Sequence, residues 1–415
     1  MPKASARRQR GDGALYQRAD GLWVGVVDLG YGGDGKRKRR TVSSMSQATA
    51  LKKLRDLRRT VADHGDAPNA TLTLEKWLAR WLEDIARYRV RPRTYEGYQT
   101  CVTQHIVPVI GRKRLAQLAP QHVREMQTEL RRGNDKRGPL AETTILKAHR
   151  VLAKALGDAQ REGLVMRNVA TLVDAPRKGP SPRRALTSDQ AKILMRATQD
   201  DPMCSRWMAA LFTGARQGEL LGLEWNRVSD VLDLSWQLQR IAFTHGCGPQ
   251  AKDGWPCGRK TGGGCPQRSH DLPPHFEYRT ARGGLLLTRP KTSAGTRIVV
   301  MAQPLQAVMT RHWELQGKPT AGLVWTTQEG YPITPRDDWD AWQGALAEAG
   351  LPPIELHSAR HTTATLLLEA GVDAHVISSI LGHSDIVVTR SYQHVDLTLQ
   401  QHAMAALAQK LAAVG

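Results

Sequence analysis

Residues 381–394 read Leu-Gly-His-Ser-Asp-Ile-Val-Val-Thr-Arg-Ser-Tyr-Gln-His, and the chain is decided by reading them with three earlier stretches. Alone, Tyr392 is a half-buried core tyrosine with a wet hydroxyl. Upstream, Leu356-His357-Ser358-Ala359-Arg360-His361 places His357 and Arg360 on one helical face, where imidazole and guanidinium can converge on a small anion. Alone it is a charged pair at a helix end. Thr288-Arg289-Pro290-Lys291-Thr292-Ser293-Ala294-Gly295-Thr296-Arg297 reads as a hairpin with a lysine beside its turn, and a lone Lys291 would simply protect a sheet edge. The earliest stretch, Leu211-Phe212-Thr213-Gly214-Ala215-Arg216-Gln217-Gly218-Glu219-Leu220, sets Arg216 and Glu219 at the spacing of an ordinary helix ion pair.

The conjunction says more than its members. Two arginines, a lysine and two histidines around one tyrosine are what phosphoryl transfer to a phenol oxygen requires. Guanidinium forks clamp non-bridging oxygens and neutralise charge that builds in the transition state. A tyrosine nucleophile keeps bond energy in a covalent ester. A lysine can protonate a departing alkoxide, and histidine moves protons near neutral pH. Other chemistries lack their signatures: there is no GxxxxGK[ST] phosphate loop, no HExxH helix, no GxSxG elbow and no clustered Asp/Glu set for two metals.

The order Arg216, Lys291, His357-x-x-Arg360, His383, Tyr392 resembles the tyrosine recombinases, also called the phage integrase family. TGARQGELLGLEW, HSARHTTATLLLEAG and LGHSDIVVTRSYQHV are similar to that family's signature stretches, and the resemblance spans about residues 70–400. It implies that Tyr392 attacks the scissile phosphate, leaving a 3′-phosphotyrosine and a free 5′-hydroxyl. Arg216 and Arg360 would hold the non-bridging oxygens, with Glu219 orienting Arg216. Lys291 would be the general acid for the 5′ oxygen, His357 would assist proton transfer, and His383 would donate to the phosphate or pack against it. The resemblance implies no metal or nucleotide in catalysis. It also implies four protomers on two DNA sites, the helical and mixed domains clamping duplex DNA.

Composition agrees with a polyanion-binding protein. The 415 residues hold 59 Lys+Arg against 39 Asp+Glu, a formal charge of +20. No run approaches the roughly 18 apolar residues of a membrane span, and the start has no apolar signal region. Five cysteines in a chain this long make no disulfide framework. The expectation is a soluble, cytoplasmic, nucleoid-associated protein of two or three domains.

The expected fold class is multi-domain α+β: a small three-stranded sheet plus helix, a helical core-binding bundle, and a mixed α/β tyrosine-recombinase catalytic domain. Residues 1–60 carry fifteen Lys/Arg, five Asp and no Glu, so half the net charge sits there. Turn chemistry at Ala19-Asp20-Gly21 and alternating apolar residues predict β-β-β-α, with strands at 14–17, 22–29 and 36–42 and a helix at 46–61. This part resembles the arm-type DNA-binding domain of heterobivalent phage integrases. From 71 to 175 the pattern is helical: Leu74, Trp77, Leu78, Trp81, Leu82 and Ile85 form a stripe behind Thr73 as N-cap. Tyr95, Tyr98, Val102 and Ile106 form another, and helices are expected at 120–130 and 142–162. Arg91, Arg93, Arg112, Lys113 and Arg114 at the joints are candidates for phosphate contacts. Residues 175–185 read as a linker, and Thr187 with Gln190 as a capping box. The expected domains are therefore 1–66 (arm-type), 67–177 (helical, SAM-like) and 178–415 (catalytic). The C-terminal stripe Met404, Leu407, Leu411, Val414 would pack on the local core or, as in the family, on a neighbouring protomer.

One departure from the family is a long insert at about 244–284, holding His245, Cys247, Cys257, Cys265, His270 and His275 among many Gly and Pro. Three thiols with a nearby imidazole fit a structural zinc, but Cys-x9-Cys-x7-Cys is no tight knuckle, so a loose loop with spectator thiols stays open. Cys101 and Cys204 read as small core residues.

The leading function is a site-specific integrase of a mobile element, acting on double-stranded DNA at core and arm sites, with a host DNA-bending protein and an excisionase as further partners. A type IB topoisomerase, which recloses the same strand, shares the chemistry. A chromosome-dimer resolvase has no call for an arm domain, and a non-catalytic DNA-binding protein has no use for Tyr392.

Overall fold

The computed structural model describes residues 14–31, 37–64, 71–133, 138–179, 185–251, 253–290, 296–382 and 397–412. Lys291, His383, Tyr392, Val414 and linker residues 180–184 lie outside them. The chain forms two compact units, Met1–Ser181 and Pro182–Gly415.

In the first unit, β1 (Ala14–Gln17), β2 (Trp23–Tyr31) and β3 (Arg37–Ser44) form an antiparallel sheet in that order, and α1 (Gln47–His64) follows. The β1–β2 turn is closed by Gly21 at φ 82° and by the Leu22 amide donating to the Asp20 carboxylate at 3.1 Å. Val24, Val27, Ala50 and Leu54 are buried between sheet and helix. Gly25 lies close under the helix there: a Cβ on it would stand 3.1 Å from Leu54 and Val42 side-chain atoms.

The helical part holds α2 (Leu74–Trp81), α3 (Pro92–Thr100), α4 (Pro120–Arg132) and α5 (Glu142–Arg161). Thr73 caps α2 by accepting from the Lys76 amide, and a wider π-type turn, Leu82–Ala86, extends the helix. Ile145, Ala148, Leu152, Ala155, Leu156 and Ala159 form a buried stripe along α5, against which the α2 tryptophans pack. Their indole N–H groups find partners: Trp77 donates to the Ala155 carbonyl at 3.1 Å, and Trp81 to the Asp158 carboxylate at 2.7 Å.

The second unit opens with α6 (Ser188–Ala197), whose Thr187/Gln190 capping box has both hydrogen bonds. At its centre lies α7 (Cys204–Thr213), buried at every residue, followed by the short α8 (Gln217–Leu221). Strands β4 (Val231–Asp233), β5 (Gln237–Arg240), β6 (Phe243–His245), β7 (Arg268–His270), β8 (Tyr278–Arg282), β9 (Leu285–Thr288) and β10 (Ile298–Val300) come next. The helices α9 (Gln303–Leu315), α10 (Pro335–Glu348), α11 (His357–Glu369), α12 (Ala374–Leu381) and α13 (Leu397–Ala412) complete it.

The strands correct one expectation. The lysine stretch is not a hairpin between paired neighbours: β9 lies between β5 and β8, whereas β10 pairs with β4. Leu287 faces Leu238 in one sheet and Val299 faces Leu232 in the other, so the apolar residues flanking residues 289–297 satisfy different partners. The described part of the C-terminal stripe packs locally. Met404, Leu407 and Leu411 join the core of the second unit, and α13 lies against β10, α6, α9, α11 and α12. Cys101 and Cys204 are buried, as core residues should be.

Candidate active site and nucleic-acid interface

The left-handed Gly214 (φ 57°) ends α7, and Arg216 stands two residues later at the start of α8. A Cβ on Gly214 would lie 2.3 Å from Leu381 Cδ2, so glycine is set here by both backbone and space. Arg216 donates from Nη1 to Glu219 at 2.7 Å and from Nη2 to the Gly382 carbonyl at 3.2 Å. The Arg216 amide donates to the other Glu219 oxygen at 2.8 Å. Its guanidinium remains partly exposed while Glu219 is buried.

Glu219 has a second cationic partner. Arg297 grips both of its oxygens, at 3.1 and 2.9 Å, and donates from Nε to the Ile380 carbonyl at 2.8 Å. Burial alone would push the Glu219 carboxyl up, but Arg297, then the Arg216 amide and guanidinium, hold it below the usual carboxylate range. Sequence reasoning assigned Arg297 no role. Its partner lies 78 residues away, and nothing local marks it.

Arg360 sits in the first turns of α11, which packs against α7 through Thr363 Oγ1 donating to the Leu211 carbonyl at 2.8 Å. Buried Arg360 donates from Nη1 to the Gly214 carbonyl at 3.0 Å, and its Nη2 meets no hydrogen-bond partner among the described residues. Burial first, then the Arg216 and Arg297 charges, push its pKa down to about 9. It is still a cation at neutral pH, with the Glu219 charge acting the other way. Exposed His357 begins the same helix, its ring edge-on to His361 with centroids 5.3 Å apart. The structure thus brings Arg216, Glu219 and Arg360 together around Gly214 and places His357 on the helix that carries Arg360.

The root of the lysine stretch is also built. Two guanidiniums lie over the Trp236 ring, Arg279 at 4.3 Å and Arg289 at 4.2 Å from its centroid. Arg279 makes a fork to Glu224 and Arg289 reaches Glu277 at 3.1 Å, so both cations are also tied to carboxylates.

In the insert, ligand atoms of His245, Cys247, Cys257 and Cys265 all lie within 4.8 Å of one another, a group that could bind a metal. Among the expected imidazoles, His245 is the one that converges. His270 instead stacks on Phe243 at 4.2 Å, and His275 is exposed.

A second basic feature lies in the first unit. Lys147, Arg150 and Lys154 are exposed at i, i+3 and i+7 along α5, and with Tyr98, Thr143 and Lys178 they line a groove of about 410 Å³. Lys154 donates to the Tyr98 hydroxyl at 3.2 Å. Of the basic residues expected at the helix joints, Arg93 pairs with Glu96 and Lys113 approaches Glu125 at 3.8 Å, while Arg112 and Arg114 are exposed and Arg91 is half-buried. The α5 row was missed because KxxRxxxK reads equally as a solvated helix face.

A model of the Phage integrase family matches residues 279–398, and one of the Phage integrase N-terminal SAM-like domain matches residues 73–131. The chain is 31% identical over 427 aligned residues to an integrase of Saccharopolyspora erythraea, with 95% of each chain covered. To an integrase of Streptomyces ambofaciens it is 27% identical over 408, with 92% of each covered. In fold it is similar to the Tn1549 transposon integrase solved with transposon right-end DNA: TM-score 0.59 at 20% identity, covering 81% of this chain and 100% of that one. It is also similar to a lambda integrase dimer on a COC′ core site, with TM-score 0.50 at 14% identity and 93% and 95% covered. The mixed α/β architecture is the one expected. By its relatives over nearly its whole length, the chain belongs to the phage integrase family and is a tyrosine recombinase, an enzyme that transfers DNA strands.

Proposed function

We propose that the chain is the integrase of a mobile element and that Tyr392 is its nucleophile. The Tyr392 oxygen bonds to the scissile phosphorus as the bond from phosphorus to the 5′ oxygen breaks. Lys291 delivers the proton to that departing oxygen, and His357 assists transfer of the phenolic proton. Arg216 and Arg360 hold the non-bridging oxygens and His383 donates to the phosphate. A second strand's 5′-hydroxyl then reverses the step on a new partner. The observation that carries this reading is the Arg216–Glu219–Arg360 cluster, with a buried guanidinium N–H on Arg360 that no described protein group meets.

In this reading residues 1–66 read arm sites, 67–177 and 178–415 grip core sites on duplex DNA, and the protein works as a homotetramer in the cytoplasm, on the nucleoid. A lambda integrase tetramer bound to a Holliday junction is similar in fold and supports that assembly. A host DNA-bending protein and an excisionase complete the set of partners. No helix among the described residues is long and apolar enough to cross a membrane. The four-ligand group of the insert takes a structural zinc ion, apart from the catalytic chemistry.

The test uses nicked suicide duplexes tiled across the DNA that flanks the gene, without added metal. A covalent adduct on denaturing gels that disappears in Tyr392→Phe is the expected result. Tight binding with no adduct on any tile would overturn the catalytic reading in favour of a DNA-binding protein on this scaffold.

A further inference from the structure

The insert between β5 and β8 has very little with which to hold itself folded. Of residues 242–284, Cys265 is the one buried apolar side chain among those described, and it stands outside the main core of its unit. Yet the segment has definite structure: β6 pairs with β7, Thr244 opposite Ser269, and a short 3₁₀ turn, Gly262–Gly264, packs on them. A two-stranded pair is marginal by itself in water, and a segment without an apolar core needs another source of folding energy.

The donor geometry supplies one. His245 Nδ1 lies 3.4 Å from Cys257 Sγ and 3.8 Å from Cys247 Sγ. Ligands at about 2.0 and 2.3 Å from a tetrahedral zinc are about 3.5 Å apart. The His245 ring lies flat against Trp255, centroids 4.1 Å apart and planes within 5°, which fixes the edge it presents. The chain is shaped to bring the fourth donor in: a Cβ on Gly246 would sit 2.1 Å from the Gln267 carbonyl, and one on Gly262 2.1 Å from that of Phe243. Three sulfurs and one imidazole, closed on four sides, suit zinc in a structural site.

We infer that a zinc ion held by His245 Nδ1 and the thiolates of Cys247, Cys257 and Cys265 is what folds residues 243–270, so that this segment is ordered by metal while the rest of the second unit is not. The inference rests on the zinc reading above and adds that folding of the insert depends on the ion. The separation follows from the core: helices and sheets outside the insert share one large apolar cluster to which the insert contributes nothing buried.

The experiment uses the full chain, reduced, measuring zinc content and cobalt substitution alongside limited trypsin digestion. Exposed Arg259 and Lys260 lie between two of the ligands and report on the insert. The expected result is about one zinc per chain, thiolate-to-cobalt absorption on exchange, and cleavage at Arg259 and Lys260 that quickens at least tenfold when the metal is stripped. Helical circular dichroism of the same sample should stay unchanged. Cys257→Ser with Cys265→Ser should reproduce the stripped state. Stoichiometric zinc with equal cleavage rates in both states would leave the metal reading standing and overturn metal-dependent folding. Absence of zinc and cobalt binding by the reduced chain would overturn both.

Discussion

Arg297→Met removes the grip on Glu219 while keeping an unbranched side chain of similar length. The wild-type fork makes two bonds to Glu219 and one to the Ile380 carbonyl, in surroundings where both charged side chains are nearly excluded from water. Removing one partner of a buried pair costs about 3–5 kcal/mol. Glu219 keeps the Arg216 amide and guanidinium, which places the loss near the lower end, ~3 kcal/mol. At about 2–4 °C per kcal/mol for a unit of this size, the second unit should melt roughly 6–12 °C lower. The pH dependence identifies the cause. In the wild type the folded Glu219 carboxyl is held below its unfolded value of about 4.3, so its stabilisation is full above that pH and is lost as pH falls through the lower folded value. Without Arg297, burial raises the folded value, and the variant is hurt most where Glu219 must stay charged. The gap between the melting curves should be widest near neutrality and narrow as pH falls below about 4.3. Thermal denaturation followed by circular dichroism across that range measures it. A gap below about 1 kcal/mol, or one independent of pH, would refute the assignment of Arg297 as the partner that keeps Glu219 charged.

Tyr392→Phe should abolish the covalent adduct and leave duplex affinity within about twofold, checked by gel-shift titration beside the denaturing gel. Lys291→Ala should slow strand cleavage by about 10²–10⁴, and a substrate with sulfur in place of the bridging 5′ oxygen should recover the rate, because a thiolate leaves without a proton; failure to recover would remove the general-acid role. Replacing Lys147, Arg150 and Lys154 together by alanine should flatten the plot of log affinity against log salt by roughly 2.7, three phosphate contacts at about 0.9 each, with no change in the catalytic rate on bound DNA. Gly214→Ala should cost about 1–3 kcal/mol through its left-handed backbone alone, and more through the clash with Leu381, so cleavage should fall together with melting temperature.

What was legible in the sequence was local or periodic. The α2 stripe with its Thr73 cap, the Thr187/Gln190 box and the β-β-β-α start depend on spacings of a few residues, and each took the expected form. The Arg216–Glu219 pair was legible because its partners stand three residues apart in sequence as well as in contact. What failed to show depends on contacts across the chain. Residues 288–297 looked like a hairpin because a basic turn joins two apolar runs, yet those runs pair with β5 and β4 rather than with each other. Arg297 stood inside that quoted stretch as one more basic residue, its carboxylate 78 positions upstream. Three histidines competed for one place beside the three thiols, and only the fold, by stacking His270 on Phe243 and His245 on Trp255, chose between them.

The way the site holds its arginines also bears on why it would bind a phosphate ester tightly. Arg216 and Arg360 rest on carbonyls at the ends of α12 and α7, Gly382 and Gly214, both left-handed caps where carbonyls lack helical partners. Those dipoles fix the guanidiniums without neutralising them, and the Glu219 carboxylate is shared between Arg216 and Arg297. Arg360 therefore carries a buried charge against two other cations, and burial first, then those cations, lowers its pKa to about 9. Repulsion of this kind is relieved by an anion between the forks, and relieved further as negative charge grows on the non-bridging oxygens in the transition state. A second carboxylate placed close enough to satisfy Arg360 would make the empty protein more stable and the catalyst weaker. In the function proposed above, the excess positive charge at Arg360 is the part of the arrangement that the reaction would use.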